Sequence, residues 1–226
     1  MHAETSEDLH LAASLVIHSR NRFIVNLLPL LEASSSLRRV VSVFTACKEG
    51  PIDTANFQGR KLPLMAQRGH ASSIVTLSLE AIAKKAPTVS FIHGFPGHVK
   101  TNITRGTGGM MMLIFKVIYS IVGPFLIMPI EECGERHVFL ATSAKYPAGT
   151  SGSDETAGVS LEGDVSIARG TDGKPGSGVY SIDEDGESAG LKVEELLVNL
   201  RKEGMVEQVW SHVEGEFKRI TGVENI

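Results

Sequence analysis

Apolar residues recur at helical spacing through residues 9–31, "LHLAASLVIHSRNRFIVNLLPLL", with Leu11, Leu15, Ile24, Leu27, Leu28 and Leu31 in the pattern. The spacing predicts a helix capped by Ser6, with Glu7 and Asp8 in its first turn. Pro29 disturbs the last turn, since a proline inside a helix removes a hydrogen bond. The period then changes. Residues 37–46, "LRRVVSVFTA", are a β-branched run of strand length, as a buried parallel strand requires. Residues 48–63 read as a loop by their Gly, Pro, Asp and Asn content. Residues 67–86, "QRGHASSIVTLSLEAIAKKA", read as an amphipathic helix whose Lys84 and Lys85 suit its C-terminus. Residues 87–95, "PTVSFIHGF", are a second strand. Helix, strand, loop, helix, strand is the rhythm of a right-handed α/β crossover.

Residues 110–128, "MMMLIFKVIYSIVGPFLIM", are almost wholly apolar. Their length approaches the roughly 20 residues of a membrane span, but Lys116 and the Gly123-Pro124 pair disfavour one. The run reads instead as an apolar lid over a substrate pocket, with surface insertion into a bilayer as the alternative. Residues 130–147 predict a helix that turns Val138, Phe139 and Ala141 to a core. The Gly-, Ser- and Thr-rich stretch 150–178 predicts loops, with "GVSLEG" (158–163) and "VSIARG" (165–170) as short edge strands. "GVYSID" (178–183) is a third core strand, and residues 191–221 are helical with one break at Gly204. No internal repeat is present. Residues 1–149, with the lid at 110–128, and residues 150–226, with the last strand and the C-terminal helices, are expected to build one domain.

Composition narrows the classes. A hydrophobic content of 42% fits a folded chain. A net charge of -4 with scattered Lys and Arg gives no footprint for nucleic acid. Cys47 and Cys133 are too few for a disulfide framework or a metal cage, which suits a reducing, cytoplasmic setting. The acidic opening "MHAETSEDLH" is neither a secretory signal nor a basic transit peptide.

The order of the apolar helix, "RRVVSVFTA", "HASSIVTLSLEAIAKKAP", "VSFIHGFPGHVKT" and "HVFLATSAKYP" resembles the C-terminal half of the short-chain dehydrogenase/reductase family, in a divergent fungal form. The resemblance implies an α/β fold, a partial doubly wound, Rossmann-like parallel sheet that lacks the N-terminal nucleotide-binding half. It also implies an oxidoreductase using NAD or NADP on a small apolar substrate, of the kind tailored in fungal secondary metabolism. The loop after the second strand would then lie beside the nicotinamide, with Pro96, Gly97, Val99 and Thr101 as cofactor contacts. Elementary chemistry agrees with such a loop: Pro96 ends a strand by withholding a hydrogen bond, and Gly97 allows backbone to approach a ligand.

Two departures stand out. No glycine-rich turn of G-x-G-x-x-G form precedes a helix, and "GTGGMM" (106–111) follows no strand and has the wrong spacing. The family's Tyr general acid, activated by a Lys four residues on, is also absent. The resemblance lays Thr45 near the family's Ser, Gln67 near its Tyr and Ala71 near its Lys. Gln67 is no proton donor and Ala71 has no charge, so a family-derived isomerase, dehydratase or cyclase, or a non-catalytic homologue, competes with the redox reading. For such chemistry the candidates are Thr45, His70 and Lys48, gathered at the strand ends. His70 also reads as a capping or solvent-facing histidine, His93 as a core residue and Cys47 as an inert buried thiol.

With its upstream neighbour missing, the strand "RRVVSVF" would be an edge, apolar on both faces and open to pairing. Self-association, or a partner chain, is therefore expected. Size-exclusion chromatography tests this, and a soluble monomer contradicts it.

Overall fold

The computed structural model describes residues 4–99, 127–150 and 158–223. In chain order, α1 (Leu11–Ala13) passes through a π-helical turn (Ser14–His18) into α2 (Ser19–Glu32). Then come β1 (Arg39–Val43), α3 (Leu64–Lys85), β2 (Ser90–Gly94), α4 (Ile130–Thr142), β3 (Val179–Ile182), α5 (Leu191–Lys202) and α6 (Met205–Thr221). The strands pair in parallel in the order β1-β2-β3, Arg39 facing Ser90 and Val43 facing Gly94 across the first pair. This is an α/β fold with a Rossmann-like partial sheet.

Side chains alternate across a strand, so each strand feeds two cores. Phe91, Val179 and Val40 face α2, α3, α5 and α6 and pack with Leu77, Ile82, Leu197, Val209 and Phe217. Ile92, Tyr180 and Ile182 face the other way, toward Leu140 of α4, Tyr146 and Val41. Every residue of β2 is buried, which explains a strand without polar alternation. Fully burying one such Phe or Ile side chain contributes about 1.5–3 kcal/mol.

The two sheet edges differ. Along β3, the carbonyls of Val179 and Ser181 accept from Thr171 and Ala189, at 2.8 and 3.0 Å, so irregular chain covers that edge. On β1, Phe44 N–H donates to Gly94 and Arg38 C=O accepts from Ser90. The parallel alternation therefore turns the backbone groups of Val41 and Val43 outward. Among the described residues, Arg20 of α2 reaches this edge and donates to the Val43 carbonyl. At the start of β1, Arg39 donates to the carbonyls of Leu140, Ser143 and Tyr146 at 3.1, 2.8 and 2.6 Å. It thereby satisfies acceptors that the end of α4 leaves open.

Several boundaries differ from the sequence pattern. The first helix starts at Leu11 without a side-chain cap. Asp8 adopts a left-handed φ of 59° that stops the helix there, while Gln58 accepts the His10 N–H at 2.6 Å and Ser6 bonds only to Glu7. Helix α3 begins three residues early, after Pro63. Helix α4 ends at Thr142 because Ser143 is extended and Ala144 donates to Val159. The expected edge strands at 158–163 and 165–170 are single bridges, Val159 to Ser143 and Arg169 to Pro175. A turn at Gly163, with φ of +64°, and the bend at residues 170–173 cut each pairing short. Of the apolar run, residues 110–126 lie outside the described residues. Among the described residues, no helix is long and apolar enough to cross a membrane.

The π-helical turn places His18 in the joint between α2 and α6. Its ring lies 5.7 Å from that of His212 and 6.4 Å from that of Phe217, and neither ring nitrogen has a partner. Burial, with the nearby His212, pushes the His18 pKa down to about 4, and burial also lowers that of His212. A depressed histidine pKa leaves stability intact above about 6.5. Below that the unfolded chain takes up a proton that the folded chain refuses, until about pH 4. His18 alone then accounts for about 3 kcal/mol lost over this window. Denaturant unfolding at stepped pH checks it: H18L should flatten the slope between pH 6.5 and 4, leaving the part due to His212.

Candidate functional site

The three strands end on one side of the molecule, where ligands of open α/β sheets bind. The chain leaving β1 turns there through Thr45–Gly50 and is fastened to α3. Ser72 donates to the Thr45 carbonyl at 2.7 Å, Ser73 to the Gly50 carbonyl at 2.6 Å, and Gly50 N–H to the Gly69 carbonyl at 3.0 Å. Gly50 and Gly69 meet backbone to backbone: a Cβ on either would lie 3.1 Å from the other's Cα.

Within this turn the Glu49 side chain is fully buried. Its Oε1 accepts from Thr76 of α3 at 2.8 Å and from Ser181 of β3 at 2.6 Å, and stands 3.7 Å from Nδ1 of His93 on β2. Thr76 has one hydroxyl proton, which goes to Glu49, so at 2.9 Å His93 Nδ1 is the donor to Thr76. Burial raises the Glu49 pKa, but the nearby His93 and the hydrogen bonds from Ser181 and Thr76 outweigh it, so the carboxyl sits below its ordinary value. Cys47 N–H donates to Ser181 at 2.9 Å, and Cys47 itself holds a φ of 61°. Burial, with Glu49 beside it, pushes the Cys47 thiol up to about 12, so it is inert at neutral pH.

Beside the turn lies a cavity of about 360 Å³. Val16 and Ile17 form one wall, Leu64 and Met65 the rim, and Phe44 an inner surface. Its polar lining includes Thr45, Gln67 and Arg68. The Thr45 hydroxyl is buried and has no hydrogen-bond partner among the described residues. Gln67 and Ala71 line the same cavity. The three positions that the family resemblance aligns with a catalytic Ser, Tyr and Lys thus converge on one space.

The other candidate residues are placed differently. His70 lines the cavity, but its Nδ1 accepts from Asp53 N–H at 3.1 Å, so Nε2 carries the proton and donates to the Phe57 carbonyl at 3.0 Å. It clamps the 53–57 loop with both nitrogens occupied. Lys48 is exposed, its Nζ 5.6 Å from the centre of the Phe95 ring. Gly97 has φ of +75°, and a Cβ there would lie 3.0 Å from Glu184 Cβ and 3.3 Å from Met128 Cε. The close approach that this glycine permits is therefore to protein. Val99 bridges to Met128, and Pro96 borders a separate cavity of about 70 Å³ with His137, Leu140 and Asp183. Ligand sites run to about 300–1,000 Å³, so the larger cavity is of that size and the smaller is not. Pro96, Gly97 and Val99 thus follow β2 at its C-terminal end, with Glu184 and Met128 close to Gly97. Thr101 lies outside the described residues. Phe95 connects the two regions, since its ring also lies 5.3 Å from the Arg68 guanidinium.

The hub at Glu49 is what sequence reasoning missed. One signal for it was available: Ser72, Ser73, Thr76 and Ser78 in α3 are all fully buried. Helical hydroxyls amid apolar residues need acceptors nearby. Among the described residues, no three of His, Cys, Asp or Glu come together to hold a metal ion.

No family model matches the chain. It is similar to an oxidoreductase of Emericella nidulans, 36% identical over 214 residues that cover 93% of this chain and 62% of the relative. It is likewise similar to an oxidoreductase of Emericella variicolor, 35% identical over 208 residues covering 91% and 60%. A short-chain dehydrogenase/reductase of Stachybotrys chartarum is 28% identical over 218 residues, covering 92% and 58%. The chain spans about three fifths of the length of these curated relatives. In sequence it is oxidoreductase-like.

A buried hydroxyl without a partner costs stability, about 1–3 kcal/mol by mutational measures. Thr45→Val keeps the shape and removes that cost. Thermal unfolding should show T45V more stable than the parent by about 1 kcal/mol, and a loss of stability would mean that the hydroxyl is satisfied in the free protein.

Proposed function

We propose that this chain is the substrate-binding portion of an oxidoreductase of the short-chain dehydrogenase/reductase type, acting on a small apolar substrate of fungal secondary metabolism. One observation carries the reading: Thr45, after β1, and Gln67 and Ala71, one turn apart on α3, line one apolar cavity of about 360 Å³ at the strand ends. In this reading the Thr45 hydroxyl donates to a carbonyl or alcohol oxygen of the substrate, and Val16, Ile17, Leu64 and Met65 exclude water around it. Similarity to fungal oxidoreductases supports the class.

The chain's own residues bind and orient in this proposal, but they do not complete a hydride-transfer site. Gln67 offers an amide where a phenol would give a proton, and Ala71 offers no charge to activate one. NAD or NADP would supply the hydride when bound. No G-x-G-x-x-G turn that would grip its pyrophosphate occurs in this sequence. A non-redox reaction routed through His70 is disfavoured by its two occupied nitrogens.

Titration calorimetry on the full chain separates these parts. An apolar ketone such as 2-decanone should bind, while NADPH and NADH at millimolar concentration should give no saturable heat. Failure of the ketone to bind the parent chain removes the substrate-side reading. Tight nucleotide binding would instead return the complete redox site to this chain.

A further inference from the structure

The apolar cavity is bordered by positive charge that no described residue pairs. Arg68 lines it, and its guanidinium lies 5.3 Å from the centre of the Phe95 ring. The Lys48 Nζ lies 5.6 Å from the same centre, so the two cations are at most 10.9 Å apart. Among the described residues neither forms an ion pair or a hydrogen bond, and both are held by the aromatic ring alone. By contrast, other cations on this acidic chain are paired, among them Arg201 with Glu80 at 2.8 Å, Arg136 with Glu132 at 2.6 Å and Lys145 with Glu187 at 2.7 Å, while Arg22 also rests over a ring, that of Phe217. The neighbouring start of α3 adds the same sign of charge, since it has no acidic residue in its first turn and no side-chain cap.

A guanidinium without an ionic partner, set beside an apolar hollow, favours an anionic group there. The hollow itself excludes a compact ion, because its walls are Val16, Ile17 and Phe44 and its rim is Leu64 and Met65, which are 75% and 71% exposed. An occupant that satisfies both features has an apolar body and one anionic end. Arg, with its planar fork of donors, matches a carboxylate in particular.

We infer that the cavity beside Thr45 takes an amphiphilic carboxylate, its apolar chain between α1 and α3 and its carboxylate on Arg68, with Lys48 adding positive charge from across the Phe95 ring. This rests on the proposed reading of the cavity as a substrate site and narrows the substrate to an apolar acid.

The test compares decanoate with decan-1-ol, which share the apolar body and differ in charge. Calorimetry on the full chain, below the aggregation threshold of either probe, should show decanoate binding about ten- to hundredfold more tightly than the alcohol, as a charge-assisted contact to Arg gives. Arg68→Gln should bring decanoate down to the level of decan-1-ol and leave decan-1-ol unchanged. Raising NaCl on the parent chain should weaken decanoate alone, so the inference stays open to refutation if R68Q fails to fold. Ala71→Phe, which fills the cavity, should lose both probes and so locate the site. Equal binding of the two probes, or salt-independent decanoate binding, overturns the carboxylate assignment while leaving the apolar site in place. Failure of both probes and of the ketone overturns the site as well.

Discussion

The carboxylate of Glu49 is the point at which four parts of the chain are tied together. It is carried by the turn after β1, accepts from Thr76 on α3 and Ser181 on β3, and stands beside His93 on β2. Burying a charge so completely is costly unless hydrogen bonds replace its water. Here the hydroxyls of Thr76 on α3 and Ser181 on β3 do so at Oε1, with the His93 imidazole 3.7 Å away behind Thr76. The turn cannot shift without stranding that charge. This is why Cys47 is held at a φ of 61° and why Thr45 keeps a hydroxyl aimed away from any partner. Strain and an unsatisfied group persist only where the surroundings over-determine them.

From that anchor the site follows. The Gly50–Gly69 contact brings the turn against the first half of α3, and the same helix presents Gln67, Arg68 and Ala71 to the cavity. Helix α1 and the π-helical turn close the opposite wall with Ala13, Val16 and Ile17. The second loop, at Pro96, is built differently. Its glycine lies close to Glu184 and Met128. Among the described residues, a hollow of ligand size thus opens at the strand ends, lined by Arg68, whose guanidinium lies over the ring of Phe95.

Much of the fold was legible because its signals are local. The runs at 37–46 and 87–95 are β-branched or apolar without alternation, and both became neighbouring parallel strands. The strand at 178–183 joined them on the far side. What escaped depends on contacts distant in sequence. The start of the first helix was set by Gln58, 48 residues away, in place of Ser6. The end of α4 was set by Arg39, which takes carbonyls about a hundred residues further on. For the site, Thr45, Gln67 and Ala71 were placed by family resemblance, and the cavity gathers them. The role of His70 was not readable, since nothing local says that Asp53 and Phe57 will occupy both its nitrogens. The partners of Glu49 were not readable for the same reason: they lie on three separate elements.

Amide hydrogen exchange along β1, measured at a concentration where the chain is monomeric, bears most directly on this arrangement. The sheet predicts an alternation: the amides of Val40, Ser42 and Phe44, which point to β2, exchange slowly, whereas those of Val41 and Val43, on the outer edge, exchange fast. Fast exchange at all five positions, or protection at Val41 with none at Ser42, would contradict the β1–β2 register on which the Glu49 anchor and the cavity both stand.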